Sequence, residues 1–210
     1  MKKLAALIFC VALQGCGALA PTYLPPANEL KAGDSEIVVI GKIELVPPLD
    51  PALEQKVYWN AIGSKEMLNH ILISTGSEFK PLNTDAVRMG QFQSSLKAEW
   101  GKPFMVKAPR QRTFVNGGMV FLDMLKGEKL WFPGGYYFDV PKDGSAIYIG
   151  TLRYYRNDFN TITRVEVVDE RKDIGTVLKG GGVQGDVRPS LLKKVERKQG
   201  QAVAAVPRME

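Results

Sequence analysis

The residues that could carry out chemistry in this 210-residue chain are few and widely spaced. The chain contains one histidine, His70, and two cysteines, Cys10 and Cys16. Metal sites usually need a cluster of histidine or cysteine ligands, and these three residues do not provide one. A Ser-His-Asp triad would have to use His70, and no serine stands in a Gly-x-Ser-x-Gly motif. We therefore predict no metal, no cofactor and no catalytic nucleophile, and we expect His70 to be a structural residue on a strand.

Acidic side chains near the ends of predicted strands leave one catalytic alternative open. They are Asp139, Asp143, Asp158, Asp169 and Glu170. A pair of carboxyl groups, one acting as an acid and one ionised, can hydrolyse glycosidic bonds. At strand ends, however, acidic residues are mostly turn formers and solvated surface charges. We therefore predict that the protein is not an enzyme, and a carboxylate-dependent hydrolase is the least favoured alternative.

Aromatic side chains are concentrated between residues 131 and 155 and are the most suggestive feature of the sequence. Aromatic residues in a sheet mostly fill the core. Tyr and Trp are also enriched where proteins bind partners. The residues that we predict as a candidate binding surface are Trp131, Tyr137, Tyr148, Tyr154 and Tyr155. The sequence leaves open whether this aromatic cluster is core or binding surface.

The elements that must position these residues are mostly β-strands. The composition, with 45% hydrophobic and 24% charged residues, is typical of a globular protein. Alternating apolar positions rich in β-branched and aromatic residues predict strands over 35–46, 70–75, 103–107, 113–125, 130–140, 145–156 and 161–168. Short helices are predicted over 51–58 and around 93–100, and a final edge strand within 183–194.

The best-defined predicted unit is a hairpin from Leu130 to Arg156, with its turn at residues 141–144. Pro141 presets the backbone for the first turn position, and Gly144 tolerates a left-handed conformation. Both arms are partly apolar on both faces, which is typical of strands inside a sandwich. A second turn at residues 157–160 leads into the following strand. We expect a mainly β protein, an antiparallel β-sandwich with one or two short helices.

Pro133-Gly134-Gly135-Tyr136 resembles the Pro-Gly-x-Tyr entry into a strand of prealbumin-like β-sandwich modules, which occur in many bacterial lipoproteins. The resemblance covers about 40 residues, from Lys129 to Asp169. It implies a prealbumin-like sandwich fold and assigns no catalytic residue.

The first fifteen residues have the features of an export signal. A positive start, Met1-Lys2-Lys3, precedes ten uncharged residues, 4–13, and small residues follow them. Ten helical residues span about half of a bilayer core, so they are too short for a transmembrane helix. Cleavage after Ala20, in Ala18-Leu19-Ala20, is one alternative. It is disfavoured because the next residue is Pro21, a poor partner for a protease at the cleaved bond.

Residues 13–16, Leu13-Gln14-Gly15-Cys16, resemble the lipobox of bacterial lipoproteins, with Gln14 where a small residue is usual. The resemblance implies that Cys16 becomes the new N-terminus and carries fatty acyl chains such as palmitate. More than one acyl chain gives a stable membrane anchor. No Asp follows Cys16, so the implied location is the outer membrane, on its periplasmic face or at the cell surface.

The positive charge of the chain lies mainly in its last segment. The formal net charge is +6, and from Arg188 onward there are six basic and two acidic residues. Between Cys16 and Val187 the chain has equal numbers, 20 basic and 20 acidic residues. A nucleic-acid-binding domain would carry a basic stripe on its folded face, so we predict no nucleic-acid partner.

The sequence predicts four segments: a signal peptide over 1–15, a lipidated tether over 16–34, a β-sandwich domain over 35–195 and a disordered basic tail over 196–210. With the lipobox resemblance, these segments lead us to expect a lipid-anchored outer-membrane lipoprotein. We expect it to act as a non-enzymatic adaptor or binding module of a cell-envelope assembly, with an envelope protein as its partner. The alternative is a glycan- or peptidoglycan-binding lipoprotein.

Overall fold

The computed structural model of the protein describes residues 32–55, 67–82, 92, 94–123, 126–172 and 187–196. These ranges form strands β1 (Glu36–Val46), β2 (His70–Gly76), β3 (Leu96–Glu99), β4 (Pro103–Pro109), β5 (Thr113–Asp123), β6 (Glu128–Phe138), β7 (Ala146–Arg156), β8 (Ile162–Val168), β9 (Val187–Pro189) and β10 (Lys193–Lys194). A short 3-10 helix, Pro51–Gln55, follows β1. In the described ranges, no helix is long and apolar enough to span a bilayer.

The strands form two sheets that pack face to face. Sheet A has the order β4-β1-β7-β8, with β9 added to β7 beside β8, and sheet B has the order β10-β6-β5-β2-β3. The predicted mainly β sandwich is therefore confirmed. Sheet A departs from purely antiparallel pairing at two places, because β1 and β9 both run parallel to β7.

The main core lies between the two sheets and follows from the period-two alternation of the strands. In β1, Ile37 and Val39 point inward, whereas Lys42 and Glu44 lie on the outer face and form ion pairs there. In β6, Phe132 and Phe138 point inward from the opposite sheet. The burial of these apolar side chains is the dominant favourable term in the stability of the sandwich.

The predicted hairpin from Leu130 to Arg156 is wrong. Strand β6 pairs with β5 and β10 in sheet B, whereas β7 pairs with β1, β8 and β9 in sheet A. The segment between them therefore crosses from one sheet to the other, so that the apolar inner faces of the two arms meet across the core. Arg110 holds this crossing, because its guanidinium donates to the carbonyls of Pro141, Lys142 and Gly144.

Other local predictions had mixed outcomes. The predicted helix around residues 93–100 is wrong: Leu96–Glu99 is a strand, with Leu96 and Ala98 buried and Lys97 exposed. The helix predicted over 51–58 is confirmed as a 3-10 helix over 51–55, and its remaining positions lie outside the described residues. The edge strand predicted within 183–194 is two short strands, β9 and β10, in different sheets.

The turn predicted at residues 157–160 is confirmed, since it joins β7 to its antiparallel neighbour β8. The signal peptide, the lipobox with Cys16, most of the tether and residues 197–210 of the basic tail lie outside the described residues. The prealbumin-like resemblance stays a prediction.

Candidate functional site

Four charged side chains form a closed ring of ion pairs on the outer face of sheet A. Lys42 on β1 lies 2.5 Å from Glu44 and 2.6 Å from Glu170. Arg153 on β7 completes the ring, at 2.7 Å from Glu44 and 2.5 Å from Glu170. The hydroxyl of Thr151 donates to the Glu170 carboxylate as well. Two acids and two bases thus neutralise one another on this face.

This pairing favours the ionised form of Glu170. Its burial would raise the pKa of the carboxyl group, but the hydrogen bonds from Lys42 and Thr151 and the charge of Arg153 outweigh burial and lower the pKa below its ordinary value. A general acid in glycoside hydrolysis needs the opposite, a raised pKa that keeps the carboxyl protonated. Glu170 is therefore arranged as an ionised structural group.

The other acidic residues of the hydrolase alternative do not form a single cluster. Hydrogen bonds from Lys193 and Arg112 lower the pKa of Asp139, and one from Arg171 lowers that of Asp169. Asp143 lies before β7 and Asp158 lies after it, and a strand of that length separates them by about 35 Å. The structure thus does not bring the five predicted acids together, and within the described residues no group of three or more metal-binding side chains occurs.

Two of the five predicted surface aromatics lie inside the protein. Tyr154 is 0% exposed and points into the core from β7, and Tyr148 is 1% exposed. Tyr148 is on the outer face of sheet A, in a small apolar cluster that Ala32, Val187 and Leu191 cover. The prediction of these two tyrosines as binding surface is wrong. Tyr154 faces the core between the sheets, and Tyr148 is covered because segments at both ends of the domain fold back over sheet A.

The other three aromatics are half-buried on outer faces and do not form one platform. Trp131 and Tyr137 are on the outer face of sheet B, and Tyr155 is on that of sheet A. Each has a cation over its ring: Arg112 at 4.6 Å from the ring centre of Tyr137, Arg164 at 3.8 Å from that of Tyr155, and Lys129 at 6.0 Å from that of Trp131. Cation–π contacts of this kind stabilise surface rings and partly cover them.

A different apolar feature lies at the end of the sandwich where β1 and β7 both finish, which we call the distal end. Phe159, in the β7–β8 turn, has 81% of its surface exposed. The turn around it is well hydrogen-bonded, because the Asn157 side chain accepts from the backbone N–H groups of Phe159 and Thr161 at 3.1 and 2.9 Å. Asn160 adopts the left-handed conformation that Asn tolerates. The phenyl ring is thus held outward.

Arg156 connects this turn to the end of β1. Its guanidinium donates to the carbonyls of Pro47, at 2.9 Å, and Pro48, and also to the side chain of Asn160. Val46, just before the prolines, is the other large hydrophobic side chain that is exposed in the described residues, at 37%. Arg156 therefore joins the proline pair that follows Val46 to the turn that carries Phe159.

An apolar cleft of about 370 Å³ opens beside this proline pair. Its residues come from the end of β1, the 3-10 helix, the segment before β2 and the β3–β4 corner. They are Glu44, Leu45, Val46, Pro48, Leu49, Asp50, Pro51, Leu53, Leu68, Asn69, Trp100 and Gly101. We call this cavity the distal cleft. The indole N–H of Trp100 donates to the carbonyl of Leu68 at 3.1 Å and so fixes one wall.

Sequence reasoning missed both distal features. The cleft is built from three separate segments, so no local pattern marks it. Phe159 carried a signal that was available: it is an apolar aromatic residue between Asn and Asp residues in a predicted turn, where polar residues and glycine predominate.

The fold and these surfaces define a two-sheet β-sandwich with an apolar cleft and an exposed phenylalanine at one end. Comparisons with protein-family models, curated proteins and solved structures found no match to this chain.

Proposed function

We propose that the protein is an outer-membrane lipoprotein, anchored by acyl chains on Cys16, whose β-sandwich acts as a non-enzymatic adaptor or binding module of a cell-envelope assembly. The observation that carries the adaptor role is the exposed ring of Phe159 on a well-hydrogen-bonded turn. Leaving such a side chain in water forgoes roughly 1.5–3 kcal/mol of burial free energy. Aromatic side chains are enriched in the cores of protein interfaces, where that free energy is recovered.

The direction of the chain supports this proposal. The tether precedes β1, which begins at Glu36 and runs for 11 residues, or about 36 Å, to Val46 at the distal end. Phe159 and the distal cleft therefore lie at the end of the domain opposite to the entry of the tether. An anchored domain with this polarity presents its apolar end away from its own attachment point, as an adaptor requires.

The acidic residues support a non-enzymatic role. Asp139, Asp169 and Glu170 are each paired with cations, and each has a lowered pKa. Carboxylates that stay ionised and ion-paired do not supply the proton that glycoside hydrolysis needs.

The anchor is tested with one substitution. Cys16→Ser removes the site of acylation, so we expect the protein to move from the membrane fraction to the soluble fraction of the cell envelope. Mass spectrometry of the wild type should show an acylated N-terminal Cys16. An unmodified N-terminus at Pro21 would show that ordinary signal cleavage operates instead.

The adaptor role is tested by placing a photo-crosslinking amino acid at position 159 in cells. We expect a crosslinked species of defined mass that depends on light. Lys142 is the matched control, because it is exposed in the crossing before β7, at the opposite end of the domain. Phe159→Ser should abolish co-purification of the partner and leave the melting temperature unchanged. The same crosslinking pattern from both positions would contradict an interface at the distal end.

A glycan-binding lipoprotein is a second candidate, favoured by the surroundings of Tyr137. The half-buried ring packs beside Phe114, with ring centres 5.7 Å apart, and Arg112 and Lys193 both bind the nearby Asp139 carboxylate. An aromatic surface surrounded by hydrogen-bonding groups suits a sugar. If this surface binds peptidoglycan, the protein should sediment with purified cell wall. Tyr137→Ala should abolish the sedimentation, whereas Phe159→Ser should leave it unchanged.

A further inference from the structure

We infer that the distal cleft binds a small amphipathic amine, a molecule with an apolar body and one ammonium group. Its volume of about 370 Å³ lies at the lower end of the range for small-molecule sites, about 300–1,000 Å³. Most of its wall is apolar, with Leu45, Leu49 and Leu53 among the lining side chains. The inference goes beyond the adaptor role and does not depend on it.

The charged groups of the wall determine whether the cleft favours a positively or a negatively charged ligand. The ionisable side chains that line the cleft are two carboxylates, Glu44 and Asp50. Glu44 is already neutralised by Lys42 and Arg153. Asp50 is exposed, and its carboxylate accepts a hydrogen bond from the backbone N–H of Ala52 at 2.8 Å. No cation from the described part of the chain forms an ion pair with it. Among the described residues, the rim of the cleft therefore carries one negative charge, on Asp50, that no ion pair compensates.

This single charge beside an apolar wall distinguishes between ligands of the same shape. An ammonium group at the rim would gain the attraction of Asp50 while the apolar body leaves water. A carboxylate at the same place would be repelled. Because Asp50 is exposed to solvent, the discrimination should weaken as salt screens it.

The walls also provide a reporter of occupancy. Trp100 lines the cleft, and its indole N–H is hydrogen-bonded to Leu68, which lines it too. The proton resonance of this N–H group, assigned with Trp100→Phe, should shift when a ligand fills the cleft.

The experiment uses 4-phenylbutylamine as the probe and 4-phenylbutyrate as its charge-reversed partner. Each is titrated into the full chain carrying Cys16→Ser, so that no detergent competes for the cleft. We expect saturable shifts of the Trp100 indole resonance with the amine and at least about tenfold weaker binding of the acid. In 0.5 M NaCl the difference should shrink severalfold.

Three variants locate the site and its charge. Asp50→Asn keeps the oxygen that accepts from Ala52 and removes the charge, so the preference for the amine should fall to within about twofold. Asp158→Asn, the matched control, removes an exposed carboxylate that does not line the cleft and should leave binding unchanged. Val46→Trp extends a bulky ring from the rim and should reduce amine binding by at least tenfold, with the melting temperature confirming that the variant is folded.

Several outcomes would overturn the inference. No saturable shift with the amine up to 10 mM would show that the cleft is not a site for this chemistry. Equal binding of amine and acid, or an undiminished preference in Asp50→Asn, would remove the charge selection. Unchanged binding in a folded Val46→Trp variant would place the ligand elsewhere.

Discussion

The phenol of Tyr154 on β7 donates a hydrogen bond to the carbonyl of Pro133 on β6, with 3.2 Å between the two oxygens. It joins sheet A to sheet B through the interior of the sandwich. The same ring meets Phe132 edge to face, with ring centres 5.0 Å apart. Burial raises the pKa of Tyr154 well above its ordinary value, so the phenol stays neutral in the folded protein. A phenylalanine here would lose this inter-sheet hydrogen bond.

Tyr154→Phe is therefore expected to lower the free energy of unfolding by about 1 kcal/mol, the usual net contribution of an intramolecular hydrogen bond. Chemical denaturation at pH 7 measures this loss. Tyr155→Phe is the control: it removes a hydrogen bond to Glu166 in a half-buried surface setting and should change stability by less than about 0.5 kcal/mol. Equal effects of the two substitutions would show that the inter-sheet hydrogen bond contributes no more to stability than the surface one.

Phe138→Ala tests the inner face of β6. Phe138 is 4% exposed and belongs to the main core. Replacing a buried phenylalanine by alanine removes apolar contacts and leaves a cavity, which costs about 3–5 kcal/mol. The melting temperature should therefore fall by roughly 6–20 °C. Tyr137→Ala, on the outer face of the same strand, should lower it much less. A melting temperature unchanged by Phe138→Ala would contradict the assignment of this face to the core.

The positions of the strands were predictable from the sequence, but their partners were not. The alternation in 130–140 and 145–156 identifies two strands correctly. It does not identify the inward face of the second, because the β1–β7 pairing shifts register and brings Ile149 and Leu152 to the same core. It does not determine which edge each strand pairs with, and a seven-residue connection is long enough either to close a hairpin or to cross the roughly 10 Å between sheets. The turn chemistry of Pro141 and Gly144 favoured the hairpin. In the structure, β7 pairs instead in parallel with β1, which lies about 100 residues earlier in the chain.

Gly134→Ala tests the closest approach within sheet B. A β-carbon at position 134 would lie 2.2 Å from the carbonyl carbon of Asn116 on β5, well inside contact distance. The register of the β5–β6 pair shifts at this point, so the two backbones approach one another at an irregularity. Because backbone atoms cannot move away without breaking strand pairing, we expect a loss of about 3 kcal/mol or more.

Gly33→Ala is the matched control for this substitution. Position 33 precedes β1, and a β-carbon there would meet nothing within 4 Å. We expect its melting temperature to stay within about 2 °C of the wild type, whereas that of Gly134→Ala falls by at least 6 °C. A Gly134→Ala variant as stable as Gly33→Ala would show that the β5–β6 pair can open at little cost.

The charged ring of sheet A shows why the site was harder to predict than the fold. Glu44 and Arg153 are direct neighbours in the parallel β1–β7 pair, although 109 residues separate them in sequence. No local spacing indicates that Glu170 completes their ion pairs. From the sequence alone, therefore, Glu170 was a candidate catalytic acid, and only the pairing of distant strands identifies it as a structural group.

Glu170→Gln tests this structural role through its pH dependence. The pKa of Glu170 in the folded protein lies below the ordinary value of 4.5. Folding therefore favours the ionised form, and the resulting stabilisation is complete above pH 4.5 and is lost as the pH falls through the folded-state pKa. Glutamine mimics the neutral acid in shape, so at pH 7 the variant should be less stable by about 1–2 kcal/mol, because Lys42 and Arg153 lose one charged partner.

The difference in stability between the wild type and Glu170→Gln should shrink as the pH is lowered below 4.5, because the wild-type carboxyl group also becomes neutral there. Denaturant unfolding at pH 7, 5, 4 and 3 measures it. Asp158→Asn, which removes an exposed carboxylate with no ion pair among the described residues, should differ little from the wild type at every pH. A difference for Glu170→Gln that stays constant from pH 7 to pH 3 would mean that the carboxylate charge does not stabilise the ring, and that the lost contribution is packing alone.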